Sequence, residues 1–415
     1  MTSLFETSEK ILDGRLSIAE HHPVSIASKT TLEPISDRVA FMETFANVTA
    51  IRDGDELGIV DAGSPLHAPG IVDATRRWTP NPLRTAVFTH GHVDHIYAVK
   101  LFEAEGNGSA KVIAHEAVAD RFRRYDLTNG YNGVINQRQF QLDAPFFPGD
   151  YRYPDETYRS TTSTSVGSVD LQLRHDRGET DDSTWVWIPE EKVLCTGDLF
   201  IWASPNCGNP QKVQRFCDEW AVALRAMAAL EPEYLLPGHG LPIAGAARVR
   251  TVLEDTARYL ESLFDQTIEM MNAGARLTDI LATVRPPTDL EDRPWLQPVY
   301  DEPEFIVRNI WRLYGGWYDG NPANLKPAPD AAVASEIAAL AGGADRLVER
   351  ALELAEGDEF RLAGHLIETA SLAAPDSVEV RRARAAIFGR RAEVERWTMA
   401  KGVFSWAAKE SNPDT

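Results

Sequence analysis

Cysteine is scarce in this chain of 415 residues, and no apolar run is long enough to cross a bilayer. The three thiols, Cys195, Cys207 and Cys217, form no C-x-x-C pair, which predicts no disulfide framework and is typical of a reducing compartment. A membrane-spanning helix needs about 18 or more consecutive apolar residues. The first ten residues also lack a basic start followed by an apolar core. We therefore expect a soluble cytoplasmic protein with no membrane partner.

Positive charge is scarce as well. The chain has 42 Lys and Arg against 62 Asp and Glu, which gives a formal net charge of −20. Nucleic-acid binding requires clustered Lys and Arg, so this balance argues against a nucleic-acid partner. It also gives an anionic substrate no long-range attraction. Such a substrate would have to be held by groups within the site itself.

The most informative segment follows the apolar run at residues 85–88. It reads H-x-H-x-D-H and contains His90, His92, Asp94 and His95. Neutral imidazole and carboxylate oxygen are suitable ligands for Zn²⁺ and similar ions. A short strand that runs into a tight loop lets these side chains surround two adjacent ions. The segment therefore predicts a metal site.

Three further elements follow apolar runs or precede strand-like segments. They contain Glu179 in G-E-T-D-D-S, Asp198 in T-G-D and His239 in P-G-H-G. Together with the first segment, this succession resembles the metallo-β-lactamase superfamily over about residues 40–285. Asp61, in D-A-G, is similar to an aspartate of that superfamily that orients a loop near the metals through hydrogen bonds, although a plain turn aspartate is the alternative.

The resemblance implies an α+β protein whose αβ/βα sandwich holds two Zn²⁺ ions, for which other divalent metals such as iron or manganese could substitute. The implied ligands form two triads and one bridge: His90, His92 and Glu179 for one ion, Asp94, His95 and His239 for the other, and Asp198 between them. The remaining bridging position would hold water, whose pKa two dications lower toward neutrality. Asp94 and Asp198 are the implied catalytic carboxylates.

Two features resemble the alkyl sulfatase branch of that superfamily. Glu179 stands where most members have histidine, and residues 304–325 resemble the opening of the alkyl sulfatase dimerisation domain, with its W-x-x-G-N-P-A-x-L theme. Two features depart from the branch. Asp198 lies in T-G-D where alkyl sulfatases tend to have A-E-N, and a C-terminal sterol-carrier-like domain is missing. The chain is thus interpreted as a shortened or divergent relative.

Substrate contacts are expected on two segments. Residues 125–140 are rich in Asn, Gly and aromatics, which predicts a long loop over the site. The resemblance implies sulfate binding by Asn206 and Arg215, whereas Gln211 stands where a further family arginine is expected. Cys207 and Cys217 follow Asp198 closely enough that a contact with the metals is a further hypothesis.

Length and periodicity predict two domains. We place a catalytic domain at residues 1–300 and an all-α dimerisation-type domain at residues 301–415. Apolar stripes at Leu347, Ala351 and Leu354, and at Leu362, Leu366 and Ala370, predict two helices separated near Gly357. These stripes, with the resemblance, predict a homodimer; packing of the helices against the sandwich is the alternative.

The predicted function is hydrolysis of a sulfate ester, or a comparable small ester, by a metal-bridging hydroxide at a dinuclear zinc site. A lactonase or other carboxylic-ester hydrolase with the same site is one alternative. A non-catalytic binding or scaffolding protein with a vestigial metal site is another.

Overall fold

The computed structural model describes residues 3–21, 29–396 and 398–412. The chain forms two compact units. The first comprises residues 1–129, 148–274 and 280–314, and the second comprises residues 130–147, 275–279 and 315–415, apart from the residues outside the described ranges. The outer ends of both predicted domains, at residues 1–2 and 413–415, lie outside the described part. The predicted boundary after residue 300 stays a prediction.

Strands, interspersed with helices, extend to residue 244, and helices follow. Within the described ranges the strands are β1 (Thr31–Pro34), β2 (Val39–Glu43), β3 (Val48–Asp53), β4 (Glu56–Val60), β5 (Leu83–Val87), β6 (Lys111–His115), β7 (Glu156–Tyr158), β8 (Thr161–Val166), β9 (Val169–His175), β10 (Thr184–Ile188), β11 (Val193–Ile201), β12 (Tyr234–His239) and β13 (Ile243–Ala244). The helices are α1 (Leu4–Leu12), α2 (Ala68–Trp78), α3 (Ala98–Ala104), α4 (Ala117–Leu127), α5 (Asn129–Phe140), α6 (Cys217–Ala228), α7 (Ala246–Asn272), α8 (Leu277–Thr283), α9 (Pro303–Gly315), α10 (Pro322–Leu325), α11 (Asp330–Ala341), α12 (Ala344–Glu356), α13 (Phe360–Ala373), α14 (Val378–Val394) and α15 (Thr398–Ser411).

The first unit is a sandwich of two mixed sheets. One sheet has the strand order β1-β2-β3-β4-β5-β6-β7 and the other has the order β13-β12-β11-β10-β9-β8. Buried and exposed residues alternate along strands with one exposed face, such as β9. Strands β10 and β11 are buried along their whole length. The sheets approach closely at Gly58, where a Cβ atom would lie 2.2 Å from Val166 Cγ2.

Helices cover the sandwich. Ile71 of α2, Phe102 of α3 and Phe122 of α4 join one buried apolar cluster with residues of the first sheet. Helices α6 and α7 pack on each other and contact strands of the second sheet. Burial of large apolar side chains against both sheets is the main stabilising contribution. The predicted α+β sandwich followed by helices is confirmed.

The second unit is helical. The predicted break lies between α12 and α13, and α14 begins at Val378. The apolar stripe predicted on α12 packs within this unit: Leu347 and Ala351 are buried in a core shared with α11, α13 and α14. The sequence analysis missed α11, whose packing contributes to this enclosure. Apolar surface instead remains on α11 and at Leu362, which is 54% exposed.

The long loop expected at residues 125–140 is wrong. Helix α4 continues to Leu127 and α5 occupies Asn129–Phe140. Its Asn and Gly content disfavours a helix, yet tertiary packing overrides propensity. Gly133 packs against Pro145 and Phe146. Gly402 of α15 meets the backbone of Gln139 so closely that a Cβ atom would lie 2.3 Å from its carbonyl oxygen.

Among the residues that the structure describes, no helix is both long enough and apolar enough to span a membrane. Cys195, Cys207 and Cys217 are buried and form no disulfide.

Candidate metal centre

The H-x-H-x-D-H segment begins two residues after β5 and turns sharply at the edge of the first sheet. His90 and His95 are buried, whereas Asp94 retains a side-chain exposure of 21%. The remaining candidate ligands arrive from the second sheet. Glu179 precedes β10, and Asp198 lies within β11.

One group of side chains comprises four residues whose ligand atoms all lie within 4.8 Å of one another: His90, His92, Glu179 and Asp198. His90 Nε2 lies 2.8 Å from His92 Nδ1. His92 Nδ1 lies 3.6 Å from Glu179 Oε2, and His90 Nε2 lies 3.7 Å from Asp198 Oδ2. Two imidazoles and two carboxylates therefore face one small space.

A second group comprises Asp94, His95 and His239. Asp94 Oδ2 lies 3.5 Å from His239 Nε2 and 3.8 Å from His95 Nε2. Asp198 connects the groups, since its Oδ1 lies 3.4 Å from His95 Nε2 and its Oδ2 lies 3.4 Å from His239 Nε2. The structure thus brings all seven predicted ligands together, with Asp198 in the shared position.

The ring nitrogens that face away from the site are held by hydrogen bonds. His95 Nδ1 lies 2.8 Å from Asp61 Oδ2, and the same aspartate accepts hydrogen bonds from the amide and the hydroxyl of Thr89. His239 Nδ1 bonds the carbonyl of Phe45. Such partners fix the tautomer and the orientation of a metal-binding imidazole. The hydrogen bonds predicted for Asp61 are present.

A buried ion pair behind the first segment escaped the sequence analysis. Asp182 Oδ2 accepts hydrogen bonds from the Gly91 amide at 3.1 Å and from Arg121 Nε at 2.7 Å. Arg121 also pairs with Asp181 at 2.5 Å. Burial disfavours ionisation of Asp182, but the charge of Arg121 outweighs it and holds the pKa of Asp182 well below its ordinary value. The pair fixes the backbone between His90 and His92.

Glycine is required beside the shared carboxylate. A Cβ atom on Gly238 would lie 2.1 Å from Asp198 Oδ1 and 2.7 Å from the carbonyl carbon of Gly197. The P-G-H-G element can therefore approach Asp198 only with glycine at this position.

The site concentrates buried charge. Burial, with the nearby charge of Asp198, raises the pKa of Glu179 to about 8. Burial also opposes ionisation of Asp198, but His239 and His95 outweigh it and lower the pKa of Asp198 well below its ordinary value. Burial disfavours protonation of His95, yet Asp198 and Asp61 raise its pKa well above its ordinary value. Carboxylates crowded in this way require compensating positive charge.

The arrangement fits divalent cations. His95 Nε2, Glu179 Oε2 and Asp198 Oδ1 are buried and have no hydrogen-bond partner among the described residues. All three atoms belong to the two groups and face their interior. Buried polar atoms are otherwise almost always paired. Imidazole and carboxylate donors suit Zn²⁺ and related ions. The seven residues could therefore hold two cations.

Asn206 and Arg215 both reach Glu179. Asn206 Nδ2 donates to Glu179 Oε1, and Arg215 Nη2 lies 3.6 Å from the same oxygen. Both side chains are buried, and Arg215 is only 2% exposed. Gln211 is half-buried on the same segment. The structure thus places Asn206 and Arg215 at the site, next to the first group.

Lys212 is a nearby cation that the sequence analysis did not select. Burial and the charge of Arg215 lower its pKa to about 8, while Asp94 and Glu179 act in the opposite direction. Lys212 lies close in the sequence to Gln211 and Arg215, which the sequence analysis considered, and this proximity could have identified it.

Cys207, Cys217 and His115 belong to neither group of potential ligands. Cys217 Sγ lies 3.5 Å from the Leu260 carbonyl oxygen, and neither Cys207 nor Cys217 belongs to a cluster of potential ligands within the described part of the chain. His115 stacks on His175 at 3.6 Å between ring centroids, with its Nε2 3.0 Å from the Arg159 carbonyl oxygen. These contacts suit a structural role for His115.

Comparison with known families gives two matches. Residues 42–239 match the family model described as metallo-beta-lactamase superfamily, and residues 276–413 match the model described as alkyl sulfatase dimerisation. The two ranges correspond to the sandwich sequence and to most of the helical sequence.

Individual relatives point the same way. The linear primary-alkylsulfatase of a Pseudomonas species is 26% identical over 336 residues, which cover 75% of this chain and 62% of the relative. The alkyl/aryl-sulfatase BDS1 of Saccharomyces cerevisiae is 25% identical over 400 residues, covering 89% of this chain and 62% of the relative. The chain therefore spans less than two thirds of the length of either relative.

Among solved structures, the stereoselective inverting sec-alkylsulfatase Pisa1 from Pseudomonas sp. superimposes with a TM-score of 0.84 at 21% sequence identity. The match covers 93% of this chain and 66% of that one. This likeness establishes the shared fold.

The raised pKa of Glu179 predicts a pH-dependent stability in cation-free protein. Because the pKa rises from an ordinary 4.5 to about 8, the folded protein binds one more proton than the unfolded chain between these values. The contribution of Glu179 to the free energy of unfolding therefore falls as pH rises through this window, by roughly 1.4 kcal/mol per pH unit. Glu179→Gln is expected to remove this slope, as measured by urea unfolding of chelator-treated protein.

Glu336→Gln, which changes an exposed glutamate of α11, is the matched control and should follow the wild-type curve. Parallel curves for wild type and Glu179→Gln would show that the Glu179 carboxyl does not titrate in this range.

Proposed function

The chain combines a metallo-β-lactamase superfamily domain with an alkyl sulfatase dimerisation domain, and from this premise we propose that it is a metal-dependent hydrolase of sulfate esters. Its relatives include alkyl and aryl sulfatases. Residues 1–300 are proposed as the catalytic domain and residues 301–415 as the helical dimerisation-type domain.

One observation carries the choice of substrate. Arg215 Nε and Nη1 are buried and lack a hydrogen-bond partner within the described ranges. An unsatisfied buried guanidinium is costly, and planar N–H groups match the oxygens of a tetrahedral oxyanion. Asn206 lies beside it on the same segment. We assign these two residues to the sulfate group of the ester.

The metal assignment follows the two groups. His90, His92 and Glu179 would hold one cation, Asp94, His95 and His239 the other, and Asp198 both. We propose Zn²⁺, since imidazole and carboxylate suit this ion, although other divalent metals accept the same donors. When bound, two such cations supply a hydroxide at neutral pH and a Lewis acid for the ester oxygen.

The residues of the chain have separate roles in this proposal. Asp94 is the most exposed of the three carboxylates in the two groups, and we assign it the orientation of the attacking water. Asp198 fixes both groups relative to each other. Arg215 holds the sulfate group and neutralises the negative charge that develops on it.

We also propose that the protein is a cytoplasmic homodimer. The match to the dimerisation model supports self-association. Helix α11 presents Val333, Ile337 and Leu340 at i, i+4 and i+7, and Leu340 is 88% exposed. An apolar stripe of this kind suits a second copy of the chain. Buried cysteines without disulfides support a reducing compartment.

The metal proposal predicts about two ions per chain after purification with added zinc. His92→Ala removes one imidazole donor from a loop outside the strands, so metal affinity should fall at least roughly 10-fold and turnover should be lost, with an unchanged circular dichroism spectrum. Elemental analysis measures the metal. His365→Ala, at an exposed position of α13, is the matched control.

Metal content below about one ion per chain would contradict this prediction. It would favour the alternative of a binding or scaffolding protein with a vestigial site.

The substrate proposal predicts that Arg215→Gln raises KM for an alkyl sulfate about 10- to 100-fold, because a buried charged hydrogen bond contributes roughly 1.5–3 kcal/mol. The KM for an uncharged carboxylic ester of the same alcohol should change much less. Steady-state kinetics with both esters measures the difference. Arg382→Gln, at an exposed arginine of α14, is the control.

Faster hydrolysis of the carboxylic ester or of a lactone by the wild type, with little effect of Arg215→Gln, would select the carboxylic-ester alternative.

The dimer proposal predicts a particle of about twice the monomer mass in light scattering. Leu340→Glu places a charge in the apolar stripe and should shift the protein toward monomer at micromolar concentration. Leu127→Glu changes a similarly exposed leucine, 85% exposed, in the first unit and is the matched control. A monomeric wild type, or equal dimerisation of the two variants, would contradict α11 as the interface.

A further inference from the structure

Helix α9 and the residues just before it hold the segment that carries Asn206 and Arg215. This part of the chain falls within the sequence matched by the dimerisation model, yet residues 280–314 belong to the first compact unit. Contacts to α9 occur near both ends of residues 206–215. They give α9 a connection to the candidate anion site.

The first contact is made by Asp301, which is fully buried. Its carboxylate accepts hydrogen bonds from the Gly208 amide at 2.5 Å and from the Glu302 amide at 2.7 Å. Its backbone carbonyl accepts a hydrogen bond from the Ser204 hydroxyl at 2.7 Å. A Cβ atom on Gly208 would lie 2.1 Å from the backbone of Phe305. The start of the segment is therefore fixed directly against the first turn of α9.

The second contact is made by Asn309, which is 5% exposed. Asn309 Oδ1 accepts a hydrogen bond from the Arg215 amide at 3.1 Å, and Asn309 Nδ2 donates to the Arg215 carbonyl at 3.0 Å. One primary amide thus bonds both backbone groups of the same residue. Gln214 Nε2 supports this arrangement, since it donates to Asn309 Oδ1 at 2.9 Å and to the Arg215 carbonyl at 2.8 Å. Aspartate lacks the donor and aliphatic side chains lack both functions, so these two hydrogen bonds require an amide.

The arginine side chain itself has weaker restraints. Its contact with Glu179 is 3.6 Å long, which exceeds a normal hydrogen bond, and Nε and Nη1 have no partner among the described residues. A long side chain with several rotatable bonds is placed mainly by its backbone and by packing. Arg215 is held at its backbone by Asn309.

We propose that Asn309 is a positioning residue that sets the affinity for the anionic group of the substrate by fixing the backbone of Arg215. The inference rests on the proposed function, since it takes Arg215 as the residue that binds the sulfate group. Asn309 does not touch the substrate. Its effect on binding passes through Arg215.

A positioning role of Asn309 predicts a result that a purely structural role does not. If Asn309 acts through Arg215, its substitution matters only while the guanidinium is present. If the substitution of Asn309 only damaged the structure, the loss of sulfate affinity that it causes would instead multiply with the loss caused by removing Arg215. The two roles are therefore separated by a double-mutant cycle.

The experiment measures binding of inorganic sulfate to the full-length, metal-loaded protein by calorimetry. Asn309→Ala removes both the donor and the acceptor without adding a charge, whereas Asn309→Asp removes the donor and adds a negative charge. We expect each of these variants, and Arg215→Gln, to weaken sulfate binding about 10-fold or more. Asn309→Ala combined with Arg215→Gln should bind no more weakly than Arg215→Gln alone. With an alkyl sulfate, KM should rise about 10-fold and kcat should change less than about 3-fold.

Asn321→Asp is the matched control, because Asn321 caps α10 and aspartate caps equally well. Circular dichroism and metal content identify folded variants, and the uncharged variant Asn309→Ser provides the result if Asn309→Ala unfolds. Wild-type sulfate affinity in a folded Asn309 variant, a multiplied loss in the double variant, or no sulfate binding by wild type would each overturn the inference. Sulfate binding that follows the cycle without sulfate-ester hydrolysis would reject the proposed function alone.

Discussion

Three carboxylates share one small buried space with four imidazoles. The rest of the structure depends on compensating the negative charge of these carboxylates. Asp94, Glu179 and Asp198 cannot all ionise there without compensating cations. Two sets of contacts in the structure meet this requirement. Imidazoles face the carboxylates directly, and outer partners such as Asp61 and Phe45 fix the direction in which ring nitrogens point.

The topology of the sandwich makes this convergence possible. Strands β4 and β5 run parallel, so the chain leaves both at one edge of the first sheet, where Asp61 meets Thr89 and His95. Strands β11 and β12 are also parallel and deliver Asp198 and His239 to the same space. Most ligands therefore lie in loops or at strand ends, and Asp198 lies within β11 next to a register irregularity at Gly197.

The sequence predicted the features that depend on short-range pattern. The H-x-H-x-D-H spacing and the helix break near Gly357 require only neighbouring residues. Helix α5 was missed because its composition favours a loop and its burial depends on distant segments such as Gly402. The pairs Asp182 with Arg121 and Asn309 with Arg215 join residues 61 and 94 positions apart. No local pattern identifies such partners, so composition and spacing could not predict them.

Helix α9 shows that a region inherited with one domain can function as part of another. Its sequence falls within the range matched by the dimerisation model, but its side chains support the backbone of the sandwich unit. A recombination event, or an engineered chimera, that exchanged the helical region from residue 276 onward would also exchange Asn309 and Asp301. The evolutionary histories of the two regions are thus linked, because a new helical region must supply a helix that fits the old loop.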